Sequence, residues 1–159
     1  MQTQNDGRHD FDFLVGNWIM RHRRLKERLK TSTEWEEFDG TAVGRKILNG
    51  LGHIDEVIMN RTSGPVHGYT LRLFDVNSKE WNIYWAAGTS GTLDVPMVGK
   101  FKDGVGEFYS HEVWEGRHIF CRFIWSKITE NSAQWEQAFS IDSGKTWETN
   151  WVNTFERVG

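Results

Sequence analysis

His22 is the residue best placed for chemistry by type and spacing. In an extended segment it shares a face with Trp18 and Arg24, because side chains two apart point the same way. A strand that turns Trp18 inward therefore carries an imidazole and a guanidinium with it, enough for a general base or an anion-binding pair. The same two residues could equally face an acidic strand in a charge ladder. Such a segment follows at once: Glu34, Glu36, Glu37 and Asp39 crowd six positions. Carboxylates there could act as general acid and base if burial separated their pKa values, although such a cluster also makes an ordinary solvated face. Glu37 and Asp39 share parity with Trp35, so an inward Trp35 would bring Glu37 inside as a proton-transfer partner for His22.

Two arginines lie in apolar runs, Arg72 within Tyr69–Phe74 and Arg122 within Ile119–Trp125. A guanidinium in such surroundings needs a carboxylate, an aromatic face or a ligand anion. Either could orient a ligand carboxylate bidentately, and an internal Arg–carboxylate pair would explain them as well. Tyr84, Trp85, Trp125, Trp135, Gln137, Asn150 and Trp151 have the aromatic and amide character of a pocket lining. Core packing accounts for most tryptophans, but amides within aromatic strands call for hydrogen-bond partners that a ligand can supply. Trp18, Arg24, Arg72, Tyr84, Trp85, Arg122, Trp135, Gln137, Asn150 and Trp151 are thus the expected ligand-binding set, with His22 and Glu37 the catalytic pair if chemistry follows binding. Tyr84 and Trp85 are neighbours, so both can face inward only at a bulge.

Other chemistries find little support. His111, Glu112 and His118, or His53, Asp55 and Glu56, offer mixed ligands without the spacing of a zinc motif, so no metal is expected. Cys121, the single cysteine, sits among apolar neighbours that suit an inert thiol and excludes an internal disulfide framework. No Gly-rich loop precedes a helix, which removes phosphate-loop and dinucleotide motifs. A net charge of −3 and a pI near 6.1 lack the electrostatic drive of a general nucleic-acid binder. The opening residues carry no basic segment leading into an apolar run, so a cytoplasmic protein without membrane partners is expected.

The elements that must position these groups are strands. The chain has 159 residues, suited to one domain, with 38% apolar and 26% charged residues, nine Trp, ten Phe, sixteen Gly and two Pro. Residues 1–9 are polar and expected to be disordered, and 10–159 form the domain, beginning with one helical turn. Strands are predicted over 16–28, 34–40, 41–48, 53–59, 67–75, 80–87, 94–101, 105–113, 117–126, 133–141 and 146–156, about ten if 34–48 is one long bent strand. Within 21–30 six of ten residues are basic, so this strand should pair with the acidic one that follows. Residues 75–79, 102–104 and 114–117 are hairpin turns. Ser140–Trp147 matches the Asp-box pattern S-x-D-x-G-x-T-W once, without the repeats of a propeller, and is expected to staple a hairpin. No amphipathic stretch is long enough for a crossover helix. Antiparallel neighbours in an up-and-down meander, closed to hide their edges, are the natural outcome, with every second residue turned into a cavity.

The opening Phe13-Leu14-Val15-Gly16-Asn17-Trp18 is similar to the Gly-x-Trp entry of calycins, the superfamily of lipocalins and fatty-acid-binding proteins. Further blocks extend the likeness: His9–Leu14, Glu34–Phe38, Leu71–Asp75, Trp81–Trp85, Trp135–Ser140 and Lys145–Trp151. Together they resemble a bacterial domain-of-unknown-function family with a lipocalin-like barrel and cover nearly the whole chain. The resemblance implies a calycin barrel whose entry Trp closes one end, and it assigns no activity. The start also looks distantly similar to nitrobindin-type haem barrels. Those ligate iron through a His near the chain end, whereas His118 is the last one here, so no cofactor is expected and haem is the lesser alternative.

The expected function is binding of a small, partly aromatic or carboxylated molecule in the barrel cavity, oriented by Arg72, His22 and Gln137. The first alternative is an enzyme of isomerase, cyclase or hydratase type that uses the cavity with His22 and Glu37. The second is a protein-interaction module with a collapsed interior. A homodimer through outer barrel faces is compatible with the pattern.

Overall fold

A computed structural model describes residues 6–159. Ten strands follow a 3-10 turn at Asp12–Leu14, and a second 3-10 turn, Leu48–Gly50, joins the second strand to the third: β1 Gly16–Leu25, β2 Trp35–Ile47, β3 Gly52–Arg61, β4 Gly64–Asp75, β5 Glu80–Ala87, β6 Met97–Lys102, β7 Val105–Trp114, β8 Arg117–Ser126, β9 Ser132–Ser140 and β10 Glu148–Arg157. Each pairs antiparallel with the next, and β10 returns to β1, closing a lipocalin-like up-and-down barrel. The acidic segment and its continuation form one strand, β2. No helix among the described residues is long and apolar enough to cross a membrane.

Alternation decides what the barrel encloses. On β1 the inward set is Trp18, Met20, His22 and Arg24, while Arg21 and Arg23 face out. Their outward partners across β2 are Asp39 and Glu37, which is the expected pairing of basic and acidic strands. Two-residue turns with positive φ at both positions, Asp103-Gly104 and Glu115-Gly116, join β6 to β7 and β7 to β8, the backbone that matches strand twist. Inward glycines let strands approach. A Cβ at Gly99 would stand 1.9 Å from the Glu107 carbonyl oxygen, and one at Gly68 would stand 2.0 Å from the Trp85 ring.

β1 ends at Leu25 rather than near 28, because Leu29 and Thr31 adopt left-handed backbone and turn the chain across one barrel end. β6 likewise starts at Met97, since Asp94 and Pro96 belong to the connection from β5.

The opposite end is plugged. Phe11 is buried against Trp81, Phe101 and Phe108 at centroid distances of 5.0, 5.1 and 5.7 Å. Trp18 lies beside this plug, its indole N–H donating to the Leu14 carbonyl at 3.1 Å. Arg157 covers Trp18 at 4.3 Å and donates to the carbonyls of Phe13, Val15 and Glu130. Of the segment expected to be disordered, residues 1–5 lie outside the described residues, but 6–9 are structured. Gly7 accepts from the Trp81 indole at 2.9 Å, and Asp6 pairs with Arg8 and Lys79. The indole needs an acceptor at the plug, and this segment supplies it.

Candidate functional site

A cavity of about 360 Å³ occupies the barrel between the plug and the end crossed by residues 26–34, within the range of small-molecule sites. Its walls are Trp85, Trp125, Trp135, Trp151, Phe123 and Phe139, with Met20, Val57, Met59 and Ile83 between them. Three polar groups stand out at successive depths.

Deepest is Arg72, which faces inward from β4 and donates to Asp55 on β3 at 2.8 Å. Its other contacts are the His53 Nδ1 at 3.1 Å and the faces of Phe11 and Trp125 at 5.0 and 5.8 Å. The internal Arg–carboxylate pair is thus the one that forms, with Asp as the partner. It makes the polar floor of the cavity. Asp55 Oδ1 and Arg72 Nε remain buried without hydrogen-bond partners among the described residues. Burial, and then the Arg72 charge, push the His53 pKa down to about 4.

His22 stands midway. Its ring stacks on Phe38 at 4.6 Å with a 12° tilt. The Trp151 indole donates to its Nδ1 at 3.0 Å, and an indole N–H can only donate. The neutral ring must therefore carry its proton on Nε2, which is buried and without a partner among the described residues. Burial first and the nearby Arg61 charge second lower the pKa to about 4, so the imidazole is neutral near pH 7. Asn153 lies opposite His22 across β10 and lines the same space, its Oδ1 likewise unpartnered. A donor and an acceptor thus sit on adjacent strands.

Arg24 and Arg28 stand at the mouth. Arg24 lies over the Trp151 ring at 5.1 Å, Arg28 over Trp114 and Phe139 at 5.1 and 5.3 Å. Burial, then repulsion from Arg28 and Arg61, lowers Arg24 to about 10. Burial also lowers Arg28. Arg61 differs, because Glu36 binds it at 2.7 Å and also accepts from Thr62. That pairing holds the Glu36 carboxyl at about 2.

Of the expected residues, His22, Arg24, Arg72, Trp85, Trp135, Gln137 and Trp151 line this cavity. Trp18 is buried lower, beside the plug. Asn150 is fully buried at the irregularity between Thr149 and Trp151 and accepts from Gln137 Nε2 at 2.8 Å. The two amides thus partner each other in part, although Asn150 Nδ2 stays unpartnered.

Three expectations are corrected. Glu37 lies on the outer surface, its side chain 74% exposed and 3.5 Å from Arg23, so no proton-transfer pair with His22 is assembled. The parity marker misled: Trp35 itself is outside, covered by Arg23 at 4.7 Å, and Glu36 is the inward carboxylate. Tyr84 faces out because β5 is regular and Ile83 and Trp85 point in. Arg122 faces out between inward Cys121 and Phe123 and lies 4.4 Å over Trp147.

Asn153 and Arg28 are absent from the expected cavity residues, and Asp55 is named there only as a mixed metal ligand. Asn153 shares parity with Trp151 and Phe155, a usable signal once the β10 irregularity is located. Arg28 lies in a connection, where alternation carries no information. Cys121 also lines the cavity, but burial drives its thiol far above the ordinary range, which leaves it unreactive as a nucleophile.

No family model and no curated protein matches the chain. Solved structures do. An S-type phycobiliprotein lyase from Guillardia theta superposes with a TM-score of 0.61 at 12% identity, covering 99% of each chain. Two redesigned β-barrels also match. One, mFAP0, is bound to DFHBI and superposes with a TM-score of 0.50 at 10% identity, covering 91% of this chain and 99% of its own. The other, b11L5F_LGL, gives 0.52 at 7% identity over 99% of this chain and 100% of its own. At such identities the likeness is one of fold.

Proposed function

We propose that the barrel binds a small, partly aromatic or carboxylated molecule in its cavity. The observation that carries this is the His22 Nε2–H, buried and unpartnered in a space walled by tryptophans. A buried donor left unmade costs about 1–3 kcal/mol, and a ligand acceptor placed there removes that cost. Asn153 Oδ1 and Asp55 Oδ1 offer acceptors to the same molecule, while the tryptophan faces supply contact area. Arg72 and Gln137 orient the ligand indirectly, each already holding one partner. The lyase and the DFHBI-bound barrel are neighbours of this fold that support the reading by analogy.

N-Phenyl-1-naphthylamine, a neutral aromatic fluorophore, tests the proposal. Saturable binding at one site per chain, with quenching of tryptophan emission, is expected. His22→Trp, whose larger ring fills the space beside Trp151 and Asn153, should weaken it about tenfold. Absence of saturable binding to the folded protein overturns the proposal.

A further inference from the structure

We infer that the cavity selects an anion, an aryl carboxylate or sulfonate whose acid group lies at the mouth between Arg24 and Arg28 while its ring enters the barrel. The inference rests on the cavity-binding function proposed above and names its ligand class.

Charge balance is the first ground. Five arginines lie in or beside the inner space, and they are not equivalent. Arg72 has Asp55 at 2.8 Å, and Arg61 has Glu36 at 2.7 Å. Arg157 spends its donors on backbone carbonyls at the plug. Arg24 and Arg28 have no ion pair among the described residues, and Arg24 Nε is buried without a partner. Each rests on aromatic faces instead.

Mutual repulsion is the second. Each of these guanidinium groups is partly withdrawn from water, and Arg28 acts on Arg24 as a like charge. One anion bridging both removes the repulsion and fills the unpartnered donor, and guanidinium groups suit planar acids through paired hydrogen bonds. Glu115 and Glu112 act on Arg28 as opposite charges and Glu36 does so on Arg24, but none of them makes an ion pair with either arginine among the described residues. Glu112 accepts from Ser110 at 2.7 Å. Asp94 lies in the β5–β6 connection, on the far side of a ten-strand circuit from β1.

Reach is the third. Arg24 and His22 are two residues apart on one strand, roughly 7 Å along it. That span is about one aromatic ring. A ligand with its acid at Arg24 and Arg28 therefore presents the opposite edge of its ring to His22 Nε2–H and meets that donor with an acceptor.

The test compares 8-anilinonaphthalene-1-sulfonate with N-phenyl-1-naphthylamine, which share the aromatic body and differ in the acid. The sulfonate should bind about tenfold tighter or better, as expected of a charge-assisted contact in a partly desolvated site. The advantage should shrink when sodium chloride rises from 50 to 500 mM. The double variant Arg24→Gln and Arg28→Gln should lose at least tenfold more affinity for the sulfonate than for the neutral probe. Arg122→Gln, which removes an outer-face charge, should leave the ratio where it was. Equal binding of the two probes, or a ratio that survives the double variant, overturns this inference alone. Failure of both probes overturns the cavity-binding function with it. If the double variant does not fold, the salt dependence of the native ratio decides: a ratio independent of salt rejects the anion site.

Discussion

Protonating His22 would place a positive charge beside Arg61 in a buried position, and protonating His53 would do the same beside Arg72. Both rings have folded pKa values near 4 against an ordinary value of 6.5. The unfolded chain therefore binds these protons more readily than the native one. Their effect on stability is absent above pH 6.5 and grows as pH falls from 6.5 towards 4, at roughly 3 kcal/mol per histidine. Urea midpoints measured across that window should fall steeply, and His22→Phe should flatten the slope by about half. A midpoint constant from pH 7 to 4 would contradict this account of both rings. At Gly68, alanine would drive its Cβ into the Trp85 ring. Gly68→Ala should cost about 1–3 kcal/mol and weaken probe binding as Trp85 shifts, measured by urea unfolding and fluorescence titration. The histidine was legible in the sequence because its parity partner Trp18 is fully internal. Glu37 was misassigned because a tryptophan covered by arginine marks an outer face as readily as an inner one. Asp55 stands out in the sequence only as a mixed metal ligand beside His53 and Glu56, since a carboxylate inside a barrel is recognisable as an arginine's partner only once Arg72 is seen beside it.

At the scale of elements, strands and hairpins were legible nearly throughout, because period-two patterning and positive-φ turn residues are local signals. The Asp-box segment between β9 and β10 is the most specific case. Asp142 accepts from the Thr146 amide at 2.9 Å and from the hydroxyls of Thr146 and Ser140, while Ser140 Oγ accepts from the Gly144 amide. This network staples the hairpin, and Trp147 continues it by supporting Arg122 on the outer face. Asp142→Ala should cost about 1–2 kcal/mol and lower Tm by a few degrees while leaving probe affinity unchanged, because the turn does not line the cavity. Loss of binding in that variant would mean that the hairpin shapes the mouth. Less legible were the places where a pattern stops. The left-handed residues Leu29 and Thr31 end β1 early, although neither residue type announces such a turn. The irregularity at Asn150 shifts the pairing of β10 with β9 by one position and leaves that amide fully buried against Gln137.

For the whole molecule, closure depends on bringing the last strand back to the first, and Arg157 secures that seam. Its guanidinium ties β10 to the N-terminal plug and to the β8–β9 connection. Arg157→Ala should lower stability by about 2–4 kcal/mol, read from urea unfolding, with little change in the affinity of either naphthalene probe at the far end of the cavity. The plug itself has a kinetic meaning. Among the described residues Phe11, Trp81 and Phe108 are buried across one end, so a molecule bound as proposed above has its way in and out at the other end, beside Arg24 and Arg28. On that reading the ligand enters and leaves past the same two arginines, and its residence time is set at this rim. A molecule delivered to another protein would have to be handed over at that rim, with the receiver approaching the face from which the cargo came.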